Sequence, residues 1–323
     1  MYIFNNEKEI YDPFYETSIK PYPWEFELLH SKTVRRLKGL SHYGTGSYVT
    51  SAKHSRYEHT VGVWTIISTF FPKKEELRLA ALLHDIGHLP FSHAVERTLN
   101  FNHHDITEEK IQGEEISSIL RKYDFSPERI THILNEDSPL AHKTSFLSAD
   151  HLDSFLRDCY MLGKMHVKPS SILKNISFSG NYVEADLETS KHIMSAIYED
   201  HKTFLHPVVL ALDALLAKAI FIFTEQKKIG LQSITSLTNH ELLQQLRDAD
   251  LDEVNEILTV IMLHPEKITI QDGYVAGAEK VEVSKVYDKT PLVDGTPLCS
   301  LSYESEKQLD DIRSFVKRYY FSY

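Results

Sequence analysis

An adjacent histidine–aspartate pair, His84-Asp85, closes a run in which Leu77, Ala80, Ala81 and Leu83 repeat at roughly helical spacing, with Gly87 ending the segment. At the end of a helix such a pair lets an imidazole and a carboxylate approach one ion, and a residue from a neighbouring helix completes the set. His59, near the start of the preceding helix, is the natural first ligand. Asp150, at the start of a later helix, supplies a second carboxylate. Two imidazoles and two carboxylates leave positions open on a six-coordinate ion, where a water is acidified and a phosphate oxygen polarised. Mn, Mg, Fe, Co, Ni and Zn all accept such a mixed set.

The rest of the chain reads as helices able to carry that arrangement. The spacing predicts helices over Phe26 to Leu40, Glu58 to Phe70, Ile106 to Tyr123, Pro127 to Asn135 and Ser148 to Leu162. Ile176 to Ser179 and Tyr182 to Glu184 flank Gly180-Asn181 as a β-hairpin. Helical periodicity returns over Leu187 to Thr224 and Asn239 to Leu263. Ile268 to Ile270 and Val281 to Val286 read as strands, and Ser305 to Tyr320 as a closing helix. The expected fold is mainly α, with small β elements and a mixed C-terminal region. Residues 1–163 form the expected metal-binding core with its N-terminal segment. Residues 164–323 form a helical extension packed as one unit with it.

Of the 323 residues, 42% are hydrophobic, which supports a sizeable core, and the formal net charge of -11 argues against bulk attraction to nucleic acid. Cys159 and Cys299 are too few for a disulfide framework and fit a reducing cytosol, so the expected location is cytoplasmic. Met1 to Pro13 has no signal-peptide pattern. The apolar stretch Pro207 to Thr224 contains Asp213 and Lys218 and reads as a buried helix, so no membrane association is expected. The tyrosine-rich ending, Tyr319-Tyr320 and Tyr323, reads as a packing surface.

Three stretches carry a family resemblance: Arg56-Tyr57-Glu58-His59-Thr60-Val61-Gly62-Val63, His84-Asp85-Ile86-Gly87-His88-Leu89-Pro90-Phe91-Ser92-His93, and Ala149-Asp150-His151-Leu152-Asp153. Together they resemble the HD superfamily of phosphohydrolases, and within it the deoxynucleoside triphosphate triphosphohydrolase branch. The similarity extends from Asp12-Pro13 through Arg35-Arg36-Leu37 and His206-Pro207 to Val293 to Leu298. It implies an HD-domain helical fold, a divalent metal ion on His59, His84, Asp85 and Asp150, and a nucleotide or other small phosphate as substrate. His88, His93 and His104 match positions that support the metal or transfer protons, with Glu96 the carboxylate that orients them. His93 and His104 are the expected proton donors. Arg56 matches a phosphate-contacting arginine. Related enzymes assemble as dimers to hexamers, so a homo-oligomer is an expected state.

The substrate-reading positions depart from the family. His42-Tyr43-Gly44 stands where Gln-Leu-Gly is usual, and that glutamine reads the sugar 3'-hydroxyl. After Asp150 the family places a basic residue and then a tyrosine, where this chain has His151 and Ser154. An arginine and a tyrosine before the His-Pro pair correspond to Ala196 and Phe204, whereas Asp158 matches. Each lost charge-assisted bond weakens a phosphate grip by about 1.5–3 kcal/mol. The chemistry is expected to be retained and the ligand pocket altered. A different phosphate ester, or a nucleotide-binding regulatory role with little turnover, therefore stands beside the triphosphohydrolase reading.

Overall fold

The computed structural model describes residues 3–5, 9–94, 96–99, 101–271 and 273–323. Its helices are α1 (Pro23–His30), α2 (Lys32–Arg36), α3 (Arg56–Phe70), α4 (Glu75–Leu83), α5 (Glu96–Leu99), α6 (His103–Gln112), α7 (Glu114–Lys122) and α8 (Pro127–Asn135). They continue with α9 (Ala149–Met161), α10 (Pro169–Asn175), α11 (Leu187–Phe204), α12 (Pro207–Lys227), α13 (Asn239–Asp248), α14 (Asp252–Leu263) and α15 (Tyr303–Ser314). The protein is mainly α, as its periodicity indicated.

Four of the expected helices are broken in two, each by an identifiable residue. Ser31 ends α1 and starts α2, its Oγ accepting from the Val34 N–H at 3.2 Å. Gly113, extended at φ -60° and ψ 150°, separates α6 from α7. Pro207 forces His206 out of the helical region and divides α11 from α12. Asp250, in the left-handed region at φ 51°, divides α13 from α14.

Three small sheets accompany the helices. β1 (Ile3–Asn5), β2 (Glu9–Asp12) and β3 (Thr17–Ile19) form an antiparallel meander near the N-terminus. The hairpin of β4 (Ile176–Ser179) and β5 (Tyr182–Ala185) turns at Gly180, φ 63°, as its Gly-Asn turn required. With β8 (Leu292–Val293) and β9 (Thr296–Pro297) it makes a four-stranded sheet in which β5 and β8 run parallel. The third sheet has the order β6-β10-β7, from β6 (Thr269–Gln271), β10 (Arg318–Ser322) and β7 (Glu279–Glu282). The expected closing helix therefore stops at Ser314. Residues Tyr319-Tyr320-Phe321 belong to a central strand, where aromatic side chains pack well on a pleated surface.

Two apolar cores result. One gathers α3, α4, α9 and α11, including Trp64, Ile67, Leu82, Leu156 and Ile197. The other gathers α12, α13 and α14 with the β6-β10-β7 sheet, including Leu215, Leu246, Ile257 and Phe321. Helix α12 is long and apolar enough to cross a membrane, and 56% of its apolar window is buried in the protein, much of it against α14.

Close approach of α3 to α9 requires Gly62. A Cβ there would lie 2.0 Å from Asp153 Oδ1 and 2.1 Å from Arg157 Nη2. Gly62→Ala is expected to destabilise the protein by about 1–3 kcal/mol through overpacking. A fall in the denaturant midpoint measures it, and an unchanged midpoint contradicts the packing.

Candidate metal centre

Local sequence places each member of the His/Asp quartet. Ser55 and Glu58 form a capping box, the Ser55 N–H donating to Glu58 Oε2 at 2.6 Å, which sets the start of α3 and puts His59 in its first turn. Helix α4 ends at Leu83, so His84 and Asp85 emerge together from its C-terminal end. Close packing of α6 fixes that exit: the Gly87 N–H donates to Thr107 Oγ1 at 3.0 Å, and a Cβ at Gly87 would meet the His103 carbonyl at 2.2 Å. Asp150 lies in the first turn of α9.

These elements bring His59, His84, Asp85 and Asp150 together. His59 Nε2 lies 3.3 Å from His84 Nε2, 3.1 Å from Asp150 Oδ1 and 3.8 Å from Asp85 Oδ2. His84 Nε2 lies 3.5 Å from Asp85 Oδ1 and 3.7 Å from Asp150 Oδ1. Both imidazoles are anchored from behind: His59 Nδ1 is 2.9 Å from Asp153 Oδ2, and His84 Nδ1 is 2.8 Å from the Ala81 carbonyl. With the Nδ1 hydrogens donated there, the two Nε2 lone pairs face one another and two carboxylates. Such a convergence of electron-rich atoms fits a divalent cation, and the anchoring bonds are the support that metal-ligating histidines ordinarily have. The same field favours positive charge: burial opposes charge on His59, yet hydrogen bonds to Asp150 and Asp153 and the charge of Asp85 push its pKa up to about 10, so a divalent ion would bind at Nε2 in place of a proton.

Arg56 turns its guanidinium onto this cluster, Nη1 donating to Asp85 Oδ2 at 2.6 Å and Nε to Ser92 Oγ at 2.7 Å. Although burial disfavours the Asp85 carboxylate, Arg56, His84 and His88 hold its pKa well below the usual range. Arg56 lines the cavity, and its direct contact there is the Asp85 carboxylate.

The remaining histidines group around Glu96. His93 Nδ1 and His103 Nδ1 lie 2.8 and 2.9 Å from the two Glu96 oxygens, with His88 Nδ1 at 3.6 Å. His88 Nε2 is 3.3 Å from Asp85 Oδ1, which links this group to the quartet. Burial, with Arg56 nearby, holds the His88 pKa well below its ordinary value, so it is neutral at pH 7. His104 is exposed at the cavity edge, its ring centroid 4.1 Å from that of His103. Among the expected pair it is thus His93 that Glu96 orients. Sequence reasoning left two contributors without roles. His103 stacks on His88 at 3.9 Å, and Asp153 holds His59, Tyr15 and Arg157. Asp153 was visible only as the second carboxylate of Asp150-x-x-Asp153.

The expected substrate residues divide. His42, His151 and Asp158 line a cavity of about 540 Å3 that runs from the quartet past Ser154, Asp200 and Phe204. Tyr43 does not line it but stands buried behind, edge-on to Phe204 with ring centroids 5.2 Å apart. His42 Nε2 lies 2.9 Å from Ser154 Oγ, so two of the altered positions contact each other. His54 Nε2 lies 3.1 Å from Asp158 Oδ1. His42, His54 and Asp158 are close enough to share an ion, but among the described residues Nδ1 of both histidines is buried without a hydrogen-bond partner. Lacking that anchoring, they read as a polar wall behind the quartet. Burial pushes His151 down to about 4, so at neutral pH it adds no positive charge where the family has a basic residue.

Burial, reinforced by the Asp158 charge, raises the Asp200 pKa well above the usual carboxylate range. Folded Asp200 therefore keeps its proton to higher pH than the unfolded chain does. Its stabilising contribution is complete below the unfolded pKa and is lost as pH rises toward the folded one. Asp200→Asn, permanently neutral, is expected to raise the thermal midpoint, with a gap that widens between about pH 5 and about pH 8. A constant gap across that range contradicts a buried protonated carboxyl.

A helical scaffold presenting a His/Asp quartet defines a class, and comparison with known proteins gives the family. Residues 56–153 match the HD domain family. The uncharacterised protein YdhJ of Bacillus subtilis is 31% identical over 280 residues, covering 83% of this chain and 84% of its own. A deoxynucleoside triphosphate triphosphohydrolase SAMHD1 homolog of Dictyostelium discoideum is 24% identical, over 62% of this chain and 46% of that protein. A hypothetical protein of Aquifex aeolicus shares the fold, with a TM-score of 0.73 at 23% identity over 99% of this chain and 96% of its own. The chain belongs to the HD-domain family of metal-dependent phosphohydrolases. It spans about half the length of several curated relatives, 53% and 51% in two cases.

Proposed function

We propose that the protein is a metal-dependent phosphohydrolase acting on nucleotides, with deoxynucleoside triphosphates the first substrates to test. The observation that carries this reading is the convergence of His59, His84, Asp85 and Asp150 at the end of a cavity of about 540 Å3, within the usual range for small-ligand pockets. When bound, a divalent ion supplies Lewis acidity toward a phosphate oxygen and lowers the pKa of a water. The chain's own side chains do the rest. Asp153 and the Ala81 carbonyl hold the two imidazoles in the tautomer that leaves Nε2 free. Arg56 holds Asp85 in its charged form. His93, fixed through Nδ1 by Glu96 and kept neutral by burial, leaves its Nε2 lone pair at the cavity, where it can take a proton from the attacking water and return it to the leaving oxygen.

A second reading, cleavage of another phosphate ester, is favoured by the His42–Ser154 contact, which occupies the place of two family substrate contacts. A panel of nucleotides and simple phosphate esters assayed with Mn2+, Mg2+ or Co2+ separates the two. Release of tripolyphosphate from deoxynucleoside triphosphates supports the first. Orthophosphate alone, from other esters, supports the second. No hydrolysis of any member, by protein that binds nucleotide, points to a regulatory module instead.

A further inference from the structure

The segment between β7 and β8 forms one wall of the cavity through residues 285–289. It is tied down at its middle and near its C-terminal end. The Tyr287 N–H donates to His201 Nε2 at 3.2 Å, and the Thr290 N–H to the Ser145 carbonyl at 3.0 Å. On this wall Lys289 is only 6% exposed, and its ammonium donates to the carbonyls of His142 and Thr144. Among the described residues no carboxylate lies within 4.0 Å of it. A buried ammonium held by neutral carbonyls alone is an expensive arrangement unless a counter-charge arrives.

Lys285, exposed and lining the same cavity, rests over the Tyr287 ring at 5.7 Å and likewise has no carboxylate within 4.0 Å among the described residues. The acids on this side are engaged elsewhere. Asp288 pairs with Arg313 at 3.3 Å, Glu136 with His132 at 2.7 Å, and Asp137 Oδ1 accepts from the Lys143 N–H at 3.3 Å. Neither lysine thus has a carboxylate in direct contact, although the charges of Asp288, Asp150 and Asp137 reach Lys289 from a distance.

We propose that Lys285 and Lys289 form an anion subsite that grips the phosphate chain of a polyphosphate substrate. The proposal rests on the nucleotide reading for its substrate, but the subsite itself can be tested without turnover. Inorganic tripolyphosphate, titrated calorimetrically into metal-loaded protein, is the probe. Lys285→Ala and Lys289→Gln are each expected to lower its affinity about ten-fold or more. Lys289→Arg, which keeps the charge, is expected to restore most of it. Bound metal stays at the wild-type level, and the exposed Lys285→Ala keeps the wild-type unfolding midpoint, so the loss is not one of folding. Affinity within two-fold of wild type in both neutral variants overturns the subsite, as does failure of wild-type protein to bind tripolyphosphate. Hydrolysis separates this from the function. A wild-type enzyme that cleaves nucleotides with a KM unmoved by either neutral substitution loses the subsite and keeps the function. Lysine-dependent tripolyphosphate binding with no hydrolysis of any phosphate ester does the reverse.

Discussion

Asp85→Ala is expected to abolish both bound metal and phosphohydrolase activity. The substitution removes one of the converging carboxylates, and it also strips Arg56 of its partner at 2.6 Å. A buried guanidinium then stands near His42 and His88 without its carboxylate partner, and its charge repels a cation at the proposed centre. Loss is therefore greater than removing one ligand of several would produce. Metal analysis of purified protein, alongside an assay on the substrate panel, measures it. Circular dichroism establishes that the variant is folded. Wild-type metal content or activity in folded Asp85→Ala sinks the proposed centre.

The second large effect is structural. Asp153 is fully buried and accepts from Tyr15 at 2.9 Å, from Arg157 through both Nε and Nη2 at 2.9 and 2.8 Å, and contacts His59 at 2.9 Å. Asp153→Ala removes the carboxylate that pairs with buried Arg157 through two hydrogen bonds, a loss of about 3–5 kcal/mol when one member of a buried pair is removed. It also frees the His59 ring to change tautomer, so metal affinity is expected to fall about 10–100-fold, the usual cost of losing such a supporting bond. Chemical unfolding and metal titration measure the two losses separately. A variant that loses stability but keeps wild-type affinity shows that Asp153 serves packing alone.

The quartet was legible because its signals are local: a His-Asp pair at the end of an apolar run, a histidine behind a Ser-x-x-Glu cap, an aspartate opening a helix. Helix α8 was legible to the residue, since Ser126 caps it and Pro127 occupies its first position. Breaks within long periodic stretches were harder, because an apolar face continues across Ser31 or Asp250 while the backbone turns. The tail misled for a related reason. Residues 318–322 follow directly on the periodicity of α15, and only pairing with β6 and β7 decides that they extend. The lysine wall was not legible at all. Lys289 reaches the cavity from more than 130 positions beyond Asp150, through a tertiary contact with residues 142–145 that no spacing encodes.

The place of β10 between β6 and β7 connects the tail to the cavity. The Val283 N–H donates to the Lys317 carbonyl at 2.9 Å immediately before β10 begins, and Val283 leads directly into the 285–289 wall. The tail therefore acts as a tether on one side of the ligand site, and whatever releases it lets that side drift. A protease cutting after Phe315, or a fusion that pulls β10 out of register, would disturb ligand affinity while leaving the His/Asp quartet, which rests on the other core, in place.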